Sequence, residues 1–199
     1  MRQHAEMIAV NTSAMVELTG TLLPELHRRG GAVVNVASTA AFQPLPGMQT
    51  YAATKAFVLH WSVALARELT QTGVQVQVLC PGPTRTDFGR RSGFEGVISP
   101  RFSHEVDRVV EASFRGLQRG RVVVVPGVLN AVLAALARRL PLRLVAALAE
   151  RTLRRTGDRA VAVRARAVHA ACTPAGEDTD AAARKLPGDR SRLEDQPRA

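Results

Sequence analysis

The chain has 199 residues, enough to bury one substantial core, and 46% hydrophobic content excludes wholesale disorder. A formal net charge of +10 invites a nucleic-acid partner, but all except two of the 27 basic residues are arginines spread along the chain, and aromatics are only 4%. No basic block interleaved with aromatics appears, so no nucleic-acid role is expected.

Two distant cysteines, Cys80 and Cys172, and five scattered histidines form neither a disulfide framework nor a zinc spacing, so no metal is expected. The longest uncharged apolar run, residues 122–137, is interrupted by Pro126-Gly127 and falls short of the roughly 20 residues a membrane span needs. The polar, helix-like opening does not resemble a signal peptide, and a cytoplasmic location is the default expectation.

In chain order, residues 1–29 read as a helix already under way, with Met7, Ile8, Val10, Met15, Leu18, Leu22 and Leu26 at mostly three- and four-residue intervals. Gly30-Gly31 ends it. "AVVNVAS" is a short buried strand, and a loop with Pro44, Pro46 and Gly47 follows. Residues 48–71 read as a long helix stopped near Gly73, and "VQVQVLC" as a second strand. A long irregular connection leads to Ser103, a candidate N-cap for a helix with Glu105 and Asp107 in its first turn and an end near Gly120. "RVVVVPG" gives a third strand, and two short helices divided by Pro141 complete the pattern. Alternation of strands and helices predicts a parallel sheet with helices packed on it, over residues 1–156. Residues 157–199 lose all periodicity and read as a disordered tail.

Chemistry concentrates around "TYAATKAF", which holds the only tyrosine, Tyr51, and one of the two lysines, Lys55, four positions later. Positions i and i+4 share one helix face. A free phenol has a pKa near 10. A fixed ammonium beside it favours the phenolate, which suits acid/base work on carbonyls and alcohols. The competing reading is a half-buried core tyrosine beside a solvated lysine. Ser38, thirteen residues earlier, ends the first strand at its carboxyl edge, where open α/β sheets bind ligands. Its hydroxyl could hold a substrate oxygen, or merely satisfy loop backbone. The second strand ends in "CPGPTRT", where Gly82 would permit close backbone approach to a ligand and Thr84 and Thr86 offer hydroxyls. The competing reading there is a simple turn.

"NVASTAAFQPLPGMQTYAATKAF" followed by "VQVLCPGPTRTDF" resembles the short-chain dehydrogenase/reductases, in which a serine precedes YxxxK by this interval and a PGxxxT loop follows the next strand. "MIAVNTSAM" resembles the segment carrying the family's asparagine, here Asn11. The resemblance implies a partial Rossmann-like, doubly wound parallel sheet, with residues 1 to about 155 matching the second half to two-thirds of a family member. It implies an oxidoreductase that transfers hydride between NAD or NADP and a small carbonyl or secondary alcohol. Tyr51 would exchange the proton, Lys55 would lower its pKa and hold the nicotinamide ribose, Ser38 would polarise the carbonyl, and Asn11 would hold a water. Pro81, Gly82, Thr84 and Thr86 would meet the nicotinamide end of the cofactor, with Thr84 standing where valine is common. Residues 88–102 fall at the variable lid, where Phe88, Phe94 and Phe102 are read first as local packing. A homo-oligomer through the Tyr51 helix, with its small Ala52 and Ala53, is also implied.

The 199 residues contain no glycine-rich turn to cradle a pyrophosphate at a helix N-terminus. The first strands of the family sheet are missing from the pattern, which leaves three apolar strands expecting covers on both faces. Weak dinucleotide affinity, and an inactive truncated chain, are therefore expectations for this sequence. The alternative class is a non-catalytic interaction or membrane-peripheral module, based on residues 128–155, whose Leu/Ala faces studded with arginine suit an anionic surface. The favoured reading of that segment is that it covers the last strand.

Overall fold

The computed structural model describes residues 2–86 and 103–156, with side chains described to residue 152. Phe88, Phe94, Phe102 and the 157–199 segment lie outside the described residues.

The apolar periodicity of the first 29 residues forms α1 (Arg2–Ile8), a π-helical turn (Ala9–Ser13) and α2 (Ala14–Arg29) in direct succession. Leu23 and Leu26 of α2 pack inward on Val33, Val74 and Val76. Gly30, at φ 75, reaches a left-handed conformation that other residues adopt at a cost, and the helix stops there. The chain then enters β1 (Gly31–Val36), crosses through a 3-10 turn (Thr39–Phe42) into α3 (Gln49–Glu68), and returns as β2 (Val74–Leu79). After residue 103 come α4 (Val106–Gln118), β3 (Val123–Val124), α5 (Val128–Ala137) and α6 (Leu142–Thr156).

The three strands form one parallel sheet in the order β1-β2-β3. Gly31 pairs with Val74 and Val36 with Leu79, so β1 and β2 run in register over their full lengths. Side chains alternate across the pleat. Val76 and Val78 of β2 point toward α3, where Val58, Leu59 and Leu65 are buried. Leu79 points to the other face, against Val109 of α4 and Val124 of β3. The main core gathers Ala37, Phe42, Val58, Val78, Cys80 and Ala134, uniting the first crossover, both central elements and α5.

Each long strand also carries one buried polar residue that ties it to a helix. Asn35 Nδ2 donates to Ser62 Oγ of α3 at 2.9 Å. Gln77, fully buried, donates to the Ser113 carbonyl of α4 at 3.1 Å and accepts from the Ser113 hydroxyl at 2.6 Å. Unpaired, such groups would each cost about 1–3 kcal/mol. Paired, they fix which helix lies on which face. Gly116 lets α4 come close, since a Cβ there would stand 2.8 Å from Gln77 Nε2 and collide with Val124.

Three details depart from the sequence pattern. The valine run 122–125 yields only a two-residue strand, because Val122 and Val124 accept from Val78 and Cys80 as β2 ends and Pro126 has no N–H to carry the ladder on. The helix after residue 103 starts at Val106, not behind a Ser103 cap: His104 is engaged in a bridge with Thr84, and Glu105 holds the N-cap position with extended backbone. Lastly, α5 and α6 bury a narrow face of Ala134, Ala137 and Val145, while Val128, Leu129, Val132, Leu133 and Leu136 of α5 face outward and exposed. Among the described residues no helix is long and apolar enough to cross a membrane.

Candidate active site at the carboxyl ends of the strands

Strand β1 ends at Val36, and Ala37 N–H donates to the Leu79 carbonyl, so the chain stays on the sheet one residue longer before Ser38 turns it away. Ser38 caps the 3-10 turn by accepting from Ala40 N–H at 3.1 Å. Its backbone turn is tied to the next loop, because Thr39 N–H donates to the Pro81 carbonyl at 2.9 Å. The two strand-end loops are therefore joined by a main-chain hydrogen bond.

Tyr51 lies in the first turn of α3, above this junction, with its neighbour Ala52 buried. Its half-buried phenol oxygen is hydrogen-bonded by the Ser38 side chain. Burial pushes the phenol pKa above its usual 10, and the Ser38 hydroxyl, which stabilises the phenolate, opposes that rise. One turn on, Lys55 lies on the same helix face with Nζ 5.8 Å from the Tyr51 ring centroid. Its ammonium donates to the Val36 carbonyl at 2.9 Å. Burial lowers the Lys55 pKa, and the neighbouring Cys80 opposes that shift. The sequence argument assigned the tuning of Tyr51 to Lys55. In the structure Ser38 opposes the rise in the phenol pKa, and the ammonium near the ring donates to a strand carbonyl.

Asn11 sits within the π-helical turn, where one extra residue per turn displaces the side chain from the regular helix face. Its Nδ2 donates to Thr54 Oγ1 at 3.1 Å, and Thr54 donates in turn to the Tyr51 carbonyl at 2.8 Å. Asn11 thus reaches the tyrosine helix through Thr54, not through Lys55. His4 makes a second tie to the same helix, 2.8 Å from Thr50 Oγ1.

The Pro81–Thr86 turn borders the site on the β2 side. Thr84 donates its hydroxyl to the Gly82 carbonyl at 3.0 Å, so it rigidifies its own turn, and Thr86 is exposed. Gly82 lacks the side chain that would keep neighbours from its backbone. The space a Cβ would take is instead filled by Asn130 of α5, whose Cγ would stand 2.8 Å away. Sequence reasoning missed Asn130, although it is the only polar residue in α5. It also missed Cys80, fully buried at the end of β2, whose thiol pKa is pushed up to about 12 by burial.

The architecture and site together define a doubly wound parallel α/β fold of Rossmann type with a tyrosine–serine pair at its ligand-binding edge. Residues 1–94 match the family model for short chain dehydrogenase. The chain is 36% identical over 103 residues to an uncharacterized oxidoreductase of Escherichia coli, covering 52% of this chain and 35% of the relative. Among solved structures, a short-chain dehydrogenase from Sphingobium yanoikuyae in complex with NADPH superposes with a TM-score of 0.56 at 34% identity, covering 67% of this chain and 56% of the other. A short chain dehydrogenase from Burkholderia cenocepacia in complex with NADP gives a TM-score of 0.60 at 30% identity, covering 73% and 57%. Over residues 1–94 the chain carries the sequence pattern of the short-chain dehydrogenase family. It spans about a third of the length of the curated relatives it matches.

Proposed function

We propose that this chain carries the acid/base half of a nicotinamide-dependent oxidoreductase site, reducing a small carbonyl compound or oxidising the corresponding secondary alcohol. The observation that carries the reading is the hydrogen bond between Ser38 and Tyr51 at the carboxyl end of β1. The phenol is protonated at neutral pH and so has a proton to give to a carbonyl oxygen; burial weakens it as an acid, and the Ser38 side chain opposes that effect. Ser38 has a single hydroxyl hydrogen, which in the unliganded chain favours the phenolate and with substrate bound would turn to the substrate oxygen as it gains charge.

The residues present fit the nicotinamide end of NAD(P)(H). An ammonium has three donors, and among the described residues Lys55 spends one on the Val36 carbonyl, so ribose hydroxyls could take the others. Pro81, Gly82, Thr84 and Thr86 form the wall beside it. When bound, the nicotinamide supplies or accepts the hydride. Tyr51 handles the proton, Ser38 the substrate oxygen, and Asn11 braces the tyrosine helix through Thr54. The residues assigned here all meet the nicotinamide end, so the reduced mononucleotide carries the groups they would bind.

The test is turnover of a panel of ketones with NADPH, NADH and reduced nicotinamide mononucleotide. The reading expects similar rates with the mononucleotide and the dinucleotides, and a loss of about 10²–10⁴ in Tyr51→Phe with the fold intact. Undiminished turnover in that variant would sink the mechanism.

A second reading rests on α5. Its outward face of Val128, Leu129, Val132, Leu133 and Leu136 is exposed, and Arg138, Arg139 and Arg143 follow it. An aliphatic face flanked by cations suits the surface of an anionic bilayer. Salt-sensitive co-sedimentation with phosphatidylserine vesicles is then expected, and its absence would dismiss this reading.

A further inference from the structure

The polar groups around Gly82 and Gly127 form a unit that the acid/base chemistry does not use. Asn130, in the first turn of α5, donates one amide hydrogen to the Pro126 carbonyl at 3.1 Å. Its Nδ2 also lies 2.9 Å from His104 Nε2. The two side chains are therefore within hydrogen-bond reach of each other. The backbone of His104 is held as well: its N–H donates to the Pro83 carbonyl at 2.8 Å, and its carbonyl accepts from Arg85 N–H at 3.0 Å. Thr84 and His104 form a parallel bridge, and Arg85 pairs with Glu105.

Two glycines make the approach possible. A Cβ on Gly82 would stand 2.8 Å from Asn130 Cγ, and a Cβ on Gly127 2.6 Å from His104 Nε2. Asn130 is held by two hydrogen bonds and cannot swing clear without losing them. The contact is therefore tight on both sides of the amide.

We propose that His104 and Asn130 act as a positioning pair that locks the Pro81–Thr86 turn in one conformation against the β3–α5 junction, and so fixes the wall that meets the nicotinamide ring. The second clause rests on the proposed function. The first does not. Without the pair, the turn keeps its Thr39–Pro81 tie and its backbone bonds to His104 but loses its side-chain link to the β3–α5 junction. Neither side chain is assigned contact with the reacting atoms.

Amide hydrogen exchange on the full chain tests the lock directly. In Asn130→Ala, exchange at Arg85 and His104 should accelerate tenfold or more, while Val78 N–H, bonded to the Val122 carbonyl in the sheet, keeps its protection. His104→Phe should do the same. His104→Gln, whose side-chain oxygen can accept from Asn130, should restore most of the protection. Should Asn130→Ala unfold the sheet as well, the Phe and Gln variants of His104 decide the matter between them. Unchanged exchange at Arg85, or equal effects of Phe and Gln at His104, would overturn the proposal.

Dissociation constants for NADPH and reduced nicotinamide mononucleotide give the second readout. Both should weaken about tenfold in His104→Phe and recover in His104→Gln, with the rate at saturating cofactor nearly unchanged. If the unaltered chain binds neither nucleotide, the nicotinamide reading fails and the exchange data still decide whether the pair locks the turn. If both bind equally to His104→Phe, the positioning role is refuted even where the turn loosens.

Discussion

Along β3 this chain finishes the sheet itself, whereas along β1 it does not. At the β3 side, α4 covers Leu79 and Val124 with Val109, the Gln77–Ser113 pair pins the helix to the strand, and Asn130 seals the loop beyond. At the β1 side, Asn35 and Val33 are covered by α2 and α3, but Val34 and Val36 on the opposite face are 38% and 55% exposed. Among the described residues β1 pairs with β2 alone. Ser38 and Tyr51 sit at the covered face, where β1 meets α3. The difference teaches that Ser38 and Tyr51 are positioned by contacts this chain makes within itself, and that the surface around Lys55 and Val36 is the less finished wall.

Substitutions can break that comparison. Phe42→Ala removes the largest side chain of the core under Ser38 and should destabilise by about 3–5 kcal/mol in denaturant unfolding. A cost below 1 kcal/mol would show that the covered face is not the packed one. Ser113→Ala leaves the buried Gln77 Oε1 without its donor, while Nε2 keeps the residue-113 carbonyl, and about 1–3 kcal/mol is expected. Val36→Thr on the bare face should stay within about 0.5 kcal/mol. A large loss there would mean that this face is covered in solution.

Alkaline titration sharpens the same contrast. The Cys80 pKa is raised from 9.0 to about 12, so its contribution to stability is fully present below pH 9 and is lost as the pH rises toward 12. Tyr51, also raised, adds a loss in the same direction above pH 10. Lys55 is lowered, so the strain of keeping it charged is relieved as pH rises through its folded pKa, and it opposes the trend. Stability should fall above pH 9, and iodoacetamide at pH 8 should leave Cys80 unmodified in the folded chain. Rapid labelling would contradict its burial.

Much of this was legible in the sequence where local rules govern. The period of α2, the alternation in β2, and the i, i+4 placement of Tyr51 and Lys55 follow from helix and strand geometry alone. What stayed hidden depends on tertiary contact. Ser103 looks like a cap, but the backbone of His104 is drawn into a bridge with Thr84, which delays the helix to Val106. Four valines look like a strand, but ladder partners exist for few of them. Gly82 suggests room for a ligand, and only the fold brings Asn130 from 48 residues away to fill it. Lys55 points to a charge effect on Tyr51, yet the Val36 carbonyl, nineteen positions earlier, takes its hydrogen bond.

The measurement closest to the central claim uses the fact that the chain has a single tyrosine. Ultraviolet difference titration near 295 nm therefore reports Tyr51 alone. The account predicts a midpoint above that of the same chain in denaturant, and a further rise in Ser38→Ala, where the hydrogen bond that favours the phenolate is gone. A midpoint equal to that of the denatured chain and unmoved by Ser38→Ala would contradict it.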